Sequence, residues 1–586
     1  MSDKPIAPIR DCQNEVDLEI LEINSRLDTK QDQDLKDASG LKEDSPSASN
    51  VVLTTQTNFL PAQQAVVVFI ALALCLALVY LDQVIIGPAL PTVAAYFNGG
   101  RQSVWVVTAY LVTSTAFQPS FGRLSDIFGR KLVLLIGVIE FLLASLACAL
   151  SQSMTQLIVF RAFQGIGGGN IMTLTYIIAS DIVDLKNRGK YQGIFECVAA
   201  ISNGLGPLLG GVFSEQVSWR WCFWINLPIS GVALTLITLC LPLKKVEGDL
   251  YSKLKSIDYV GSAFTLTGSI LLLIALNWGG VEYEWVSAPV LVLIFVSLAT
   301  FFAFWFWEWK VARLPIVPMY IFRFRTVSGV CLVTLCLGMV YYNSIIFVPQ
   351  LLIIAKGYSP VRAGVLMIPF VLGVTVMVLI CGQITALTGV WRAMIITGFV
   401  IWSVACGLLA TIEENTKDSK VMGFLFLAAV GPGCIFFTSL TGLQASVDRK
   451  DMAVVTSVRS FLRFLGGTLG LAISSALINN VIRQEAQSID LPDEVLQIVL
   501  DDPTAIRSSL SRILSPEDQK VLIHAYALGF RTVFLVCAGL CTLGFIVSAT
   551  LIQHHELERG DEKELRQEAK LRLKTLTAAP GSHKAT

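Results

Sequence analysis

The sequence predicts an all-α integral membrane protein with about fourteen transmembrane helices. Three observations predict it. The 586 residues are 54% hydrophobic and 15% charged, with a mean hydropathy of +0.65, which is more apolar surface than one water-surrounded core can enclose. Apolar stretches of about 18 to 25 residues recur from Ala65 to Leu551, each long enough to cross roughly 30 Å of hydrocarbon as a helix. Basic residues gather in alternate connections between those stretches.

In chain order, the expected spans are 64–88, 104–121, 132–151, 155–180, 190–213, 221–241, 257–277, 288–307, 326–347, 363–386, 393–411, 420–441, 453–478 and 526–551. An even number puts both termini on one side of the membrane. Arg123, Arg130 and Lys131, then Lys186, Arg188 and Lys190, then Lys244, Lys245, Lys253 and Lys255, then Lys310, Arg313, Arg323 and Arg325 fall in alternate connections. The opposite connections, such as Ser151 to Thr155 and Asn277 to Ser287, are poor in Lys and Arg. By the positive-inside rule the basic connections and both termini are cytosolic. Trp305, Trp307 and Trp309 beside Lys310 read as interfacial anchors.

Residues 1–60 are polar and mixed in charge and read as a disordered cytosolic tail. The segment 554–586, opening with Glu556, Glu558, Arg559, Asp561, Glu562 and Lys563, reads as a second cytosolic tail. The connection 483–525 contains Pro492, Pro503 and Pro516 with apolar residues between them. It reads as a long extracellular loop that caps the outer mouth, and it carries no Asn-x-Ser/Thr acceptor.

Several function classes are excluded. Lys plus Arg and Asp plus Glu are 44 each, so no basic field invites nucleic acid. Ten of the thirteen cysteines (Cys75, Cys148, Cys240, Cys331, Cys336, Cys381, Cys406, Cys434, Cys537 and Cys541) lie in apolar runs, and no zinc spacing occurs, so they read as small core hydrophobes. The four histidines, His524, His554, His555 and His583, fall outside the expected spans, and no Ser/His/Asp set is evident. Gly165 to Gly169 are not followed by Gly-Lys-Ser/Thr, as a phosphate loop requires. The expectation is a protein that is not an enzyme and uses no cofactor or metal.

The chain also repeats itself. Val79 to Pro88 in the first span matches Val340 to Pro349 in the ninth, and Gly122 and Gly129 correspond to Gly382 and Gly389. Two six-helix halves, at 61–245 and 326–553, joined by a linker at 246–325 with two extra spans, would produce this pattern. Parallel halves place a substrate path at their interface, near the membrane middle.

The decapeptide Gly122-Arg123-Leu124-Ser125-Asp126-Ile127-Phe128-Gly129-Arg130-Lys131 joins spans two and three, with glycines that permit a tight turn and an aspartate placed to pair with a base. It resembles the signature loop of the major facilitator superfamily. Leu81-Asp82-Gln83 with Ala89-Leu90-Pro91, Arg161 to Gly169, and Gly206-Pro207-Leu208-Leu209-Gly210-Gly211 are similar to the first-, fourth- and fifth-span motifs of its fourteen-span drug:proton antiporter family. Trp219-Arg220-Trp221, Phe223 to Pro228, Gly357 to Pro360 and Ala363-Gly364 resemble the fungal branch. The resemblance covers about Gln64 to Leu551. Gly193 fits the antiporter motif, whereas Ser202 replaces a usual glycine, and Val84, Gly87 and Pro88 depart from the first-span pattern. In the second-half copy of the loop, Ala386 and Val390 stand where Asp126 and Arg130 do.

Arg161 lies inside an apolar span, where an unpaired guanidinium costs at least about 2.5 to 3.5 kcal/mol, so it should face the interior and hold a partner. The other intramembrane ionisable groups, Asp82, Glu140 and Glu196, are candidates to carry protons with it, since desolvation and a nearby arginine pull a carboxyl in opposite directions. The resemblance implies proton coupling at Arg161 and Asp82. Gln83, Gln164, Asn203, Asn343, Gln350 and Arg463 are candidates to line the path.

The family's mechanism is alternating access, with protons driving export of a small amphiphilic or apolar compound such as a drug, toxin or secondary metabolite, glycolipids included. The expected partners are the lipid bilayer, the substrate and protons, and the expected form is a monomer in the cell membrane. The alternative is a vacuolar or plasma-membrane transporter of a nutrient such as basic amino acids or an iron chelate.

Overall fold

The computed structural model describes residues 62–241, 249–280, 283–413, 415–489, 491–501, 506–507, 510 and 514–557. The expected tail 1–60 and the stretch 558–586 lie outside the described residues.

The first half opens with α1 (Ala62–Phe97). The expected second span is two helices, α2 (Val104–Ala116) and α3 (Gln118–Phe128). Pro119, in the first turn of α3, is the cause: lacking an N–H it cannot extend the α2 ladder, and the helix restarts and runs on to Phe128. Most of the glycine-bounded decapeptide is therefore helix rather than loop. Gly129 alone makes the turn, with φ of 96°, a backbone angle that side-chain-bearing residues avoid.

Next come α4 (Arg130–Ala149), α5 (Met154–Ile182), α6 (Arg188–Val212), the single turn α7 (Trp221–Trp224) and α8 (Asn226–Cys240). The linker holds α9 (Leu250–Lys255) and an inserted pair, α10 (Tyr259–Trp278) and α11 (Ala288–Lys310). Asp258 caps α10 and also accepts from Trp307 Nε1 at 3.0 Å, which fastens the end of α11 to the start of α10. The second half is α12 (Arg325–Ile354), α13 (Pro360–Thr388), α14 (Arg392–Leu409), α15 (Asp418–Ala445), α16 (Met452–Ser488) and α18 (Pro516–Thr550), with a short α17 (Asp493–Asp501) before the last.

Among the described residues, 12 helical segments are long and apolar enough to cross a membrane. The two expected spans beyond these are the broken α2–α3 and α5. The latter has 29 residues, about 43 Å of helix, but Arg161, Gln164, Asn170 and Asp181 lower its hydropathy. Counted with these two, the architecture fits the expected fourteen. Because α16 and α18 run past their apolar stretches, the connection between them is shorter than 483–525. It packs back on the bundle: Arg507 Nε donates to Ile354 O at 2.7 Å, and Tyr526 Oη to Val499 O at 2.7 Å.

The packing repeats between the halves. In the first, α1 packs on α6 and α8, α5 on α2 and α4, and α4 on α8. In the second, α12 packs on α16 and α18, α15 on α13 and α14, and α14 on α18. The interface between halves repeats as well, as α6 against α13 and α3 against α16, while α10 and α11 pair with each other and α10 leans on α2 and α16.

Candidate functional site

The centre of the first half is a buried polar cluster on four helices. Asp82 from α1 and Arg161 from α5 are fully buried and paired, Nη1 to Oδ2, at 2.6 Å. Asp82 Oδ1 accepts from Gln164 Nε2 at 2.8 Å and from Asn226 Nδ2, at the start of α8, at 2.8 Å. Gln164 also donates to Ser145 Oγ on α4 at 2.7 Å and accepts from Arg161 Nη1 at 2.8 Å. Arg161 Nε donates to Val106 O at 3.0 Å, and its guanidinium lies 4.3 Å from the Tyr110 ring centre. Three donors converge on the Asp82 carboxylate, and Arg161 balances its charge. Arg161 therefore faces inward with a partner. Its Nη2 is buried without an acceptor among the described residues, so the guanidinium is incompletely satisfied.

The glycines beside Arg161 make this cluster possible. A side chain at Gly165 or Gly169 would run into the backbone carbonyls of Tyr110 and Ser114, and one at Gly167 would meet α4. The glycine run is a packing surface that brings α5 against both neighbours. The antiporter-like motif does the same for α6: a side chain at Gly210 would lie 2.0 Å from Ile85 O, and one at Gly206 would meet Val84. Ser202 is buried, Pro207 is inside the helix, and Gly211 has open space beside it.

A second cluster ties down the end of the bundle that carries the basic connections. Asp126 pairs with Arg130 at 2.7 Å and Arg123 at 3.7 Å, and Arg130 Nε reaches Asp181 at the end of α5 at 3.0 Å. Lys131 Nζ donates to Thr238 O and Leu241 O at 2.8 and 3.0 Å, and Arg123 Nε to Pro315 O at 2.8 Å. The halves meet here. Gly122 on α3 sits against Ala453 and Ser457 of α16, Gly189 on α6 against Gly382 on α13, and Gly193 against Leu379. Arg188 Nη1 donates to Gln444 Oε1 across the interface at 2.9 Å. Tyr320 Oη donates to Asp451 at 2.7 Å, and burial with that bond pushes its phenol up, so it stays a neutral donor. Toward the opposite end the contact stops: Gly204 on α6 and Gly364 on α13 have open space beside them, and Leu205, Leu208, Val365 and Leu372 are exposed.

The remaining candidates are scattered. Glu196 on α6 and Arg463 on α16 are buried on opposite halves and within electrostatic reach of each other. Glu140 is half-buried on α4 with no hydrogen bond or ion pair to a described residue. Gln83 lies beside Met172, with Nε2 to Sδ at 3.7 Å, and Asn343 Nδ2 points at Cys537 Sγ at 3.5 Å, toward α18. Gln350 is half-buried and Asn203 exposed. Sequence reasoning missed Asn226, Ser145 and Asp181 as partners of the charged groups. Asn226 stands alone as a strong polar residue between Trp224 and Ser230, and that was the available signal. A cavity of about 480 Å³ lies beneath the inserted pair, lined by residues such as Phe301, Phe304, Val317 and Phe461, and includes none of the candidates.

This arrangement matches known proteins. Residues 72–471 match the Major Facilitator Superfamily. The chain is 34% identical to Citrate exporter 1 of Yarrowia lipolytica, covering 87% of this chain and 75% of that protein. It is 33% identical to Efflux pump FUS6 of Gibberella moniliformis, covering 82% and 86%. The structure of the proton:xylose symporter XylE aligns with a TM-score of 0.55 over 86% of this chain and 99% of that one, at 12% identity, a likeness of fold alone. By sequence, helix pairing and these matches, the chain belongs to the major facilitator superfamily.

Proposed function

We propose that this transporter is a proton-coupled antiporter that exports small organic compounds by alternating access. The single observation that carries the coupling is the Asp82–Arg161 pair with Gln164 and Asn226 around it. Protonating Asp82 discharges the carboxylate, leaves Arg161 without a counter-charge and loosens four helices at once. Such a group converts a proton into a change of helix packing. The relatives' names, an exporter and an efflux pump, support the direction of transport and give no support to nutrient uptake.

In this reading the end bearing Arg123, Arg130 and Lys131 is cytosolic, in keeping with the positive-inside rule, and so are both termini. The contacts Gly122–Ser457 and Gly189–Gly382 then form the inner seal of an outward-facing state. The protein acts as a monomer in the cell membrane, and protons entering from outside drive export.

The test is accumulation of aromatic amphiphiles in inside-out vesicles with an imposed acidic lumen. Wild type is expected to accumulate at least one probe only while the gradient lasts, with Asp82→Asn and Arg161→Ala reduced to the gradient-free level. Undiminished gradient-driven accumulation in both variants would remove the pair from coupling.

A further inference from the structure

Between the halves, one turn apart on α16, stand two buried arginines, Arg459 and Arg463. They are not equivalent. Arg459 is tethered: its Nη2 donates to Phe436 O and, at 3.0 Å, to Ser439 Oγ, both on α15. Arg463, 7% exposed, makes neither a hydrogen bond nor an ion pair with any described residue, and its Nε is buried without an acceptor. What holds it is aromatic: its guanidinium lies 4.8 Å from the Phe464 ring centre and 5.6 Å from that of Phe436.

The surroundings leave the positive charge in excess. Residues 326–412, 419–445, 452–484 and 519–551, which make the second half's spans, contain no Asp or Glu. Across the interface Glu196 lies within electrostatic reach of Arg463 but outside ion-pair distance, one carboxyl set against two guanidiniums. Asp82 is already neutralised by Arg161. The first half brings phenols: Tyr80 and Tyr176, whose hydroxyls are 3.2 Å apart, lie within reach of Arg463, as does Tyr342 from α12. Hydroxyl donors, aromatic faces and an unpaired guanidinium thus stand together at the junction of the two halves, the chemistry that suits a negatively charged aromatic or amphiphilic molecule.

The geometry points to Arg463 as the anchor for an anionic group, a carboxylate or sulfonate, on the exported molecule, with Tyr80, Tyr176 and Phe436 around its apolar part. This deepens the exporter reading and rests on the interface between halves being the substrate path. An organic anion supplies the counter-charge that the second half lacks, and it meets a guanidinium that Glu196 faces only from beyond ion-pair distance. Arg459, spent on α15, sets the positive potential without needing to touch the ligand.

The experiment is equilibrium binding to purified protein in nanodiscs, with no pH gradient, using radiolabelled 2-naphthalenesulfonate against its neutral sulfonamide and 2-naphthylmethylammonium. Wild type is expected to bind the sulfonate saturably and at least about tenfold more tightly than either competitor, the worth of one charge-assisted hydrogen bond. Arg463→Gln should lose about that tenfold while leaving sulfonamide binding unchanged, which certifies the fold, and Arg463→Lys should restore most of it. Glu196→Gln, by removing the opposing carboxyl, should tighten sulfonate binding. Absence of saturable sulfonate binding, equal or tighter binding of the sulfonamide or ammonium probe, or an unaltered Arg463→Gln would overturn the assignment. Because no gradient is applied, failure of proton coupling in vesicles leaves this result standing, and failure here leaves the coupling result standing.

Discussion

Asp82 and Arg161 hold each other in a place where neither is tolerable alone. Truncating one partner of a buried pair leaves an uncompensated charge, which typically costs about 3 to 5 kcal/mol. Asp82→Ala should therefore lower the unfolding midpoint of the purified protein strongly. Asp82→Asn, which keeps an acceptor for Gln164 and Asn226, should lower it less, and the double variant Asp82→Asn/Arg161→Gln should recover part of the loss. Thermal unfolding in one detergent checks the order, and an Asp82→Ala as stable as wild type would mean that Arg161 finds another partner. The charged members of this cluster were legible in the sequence because an Arg or Asp inside an apolar run must be paired. Asn226 and Ser145 were not, since neutral polar residues are common in spans and nothing in sequence order says which face of a helix they occupy. Glu140 shows the converse: an intramembrane carboxyl can draw attention and yet sit apart from the cluster.

At the scale of helices, the close approaches are set by the absence of side chains. The contact of α6 with α1 closes over Gly210, where an added Cβ would fall 2.0 Å from the backbone oxygen of Ile85, an atom with no rotamer to yield. Gly211, the next residue, has nothing within 4 Å. Gly210→Ala is expected to destabilise by about 1 to 3 kcal/mol through overpacking, and Gly211→Ala to be neutral or slightly stabilising through helix propensity. A matched pair of melting curves decides it, and equal behaviour of the two would remove the packing explanation. Helix existence was readable from apolar length alone. The break at Pro119 was readable only in part, because a proline in an apolar run either kinks a helix or restarts it, and here the neighbours α5 and α16 receive the restarted segment.

For the whole molecule, the two halves share a pattern of helix pairing but divide the charges: a neutralised ion pair in the first, a bare guanidinium in the second. The repeat in sequence raises the expectation of two related halves. It does not say which residues of opposite halves face one another, because Glu196 and Arg463 come within electrostatic reach only through the assembly of both bundles. The structure is closed at the basic end and parted at the other, so accessibility should follow. In protein freed of native cysteines, Asn203→Cys, on the exposed stretch of α6, should react with a membrane-impermeant maleimide far faster than Ser457→Cys, buried against Gly122. Equal labelling rates, read by mass shift, would contradict the observed closure. Where Gly189 meets Gly382, parting the halves wets backbone and almost no hydrocarbon, so at about 25 cal/mol per Å² of apolar surface the closed state gains little there from the hydrophobic effect. In the antiporter proposed above, moving the two orientations from one part in a hundred to ninety-nine would take about 5.5 kcal/mol of differential affinity, shared between a proton and a bound molecule.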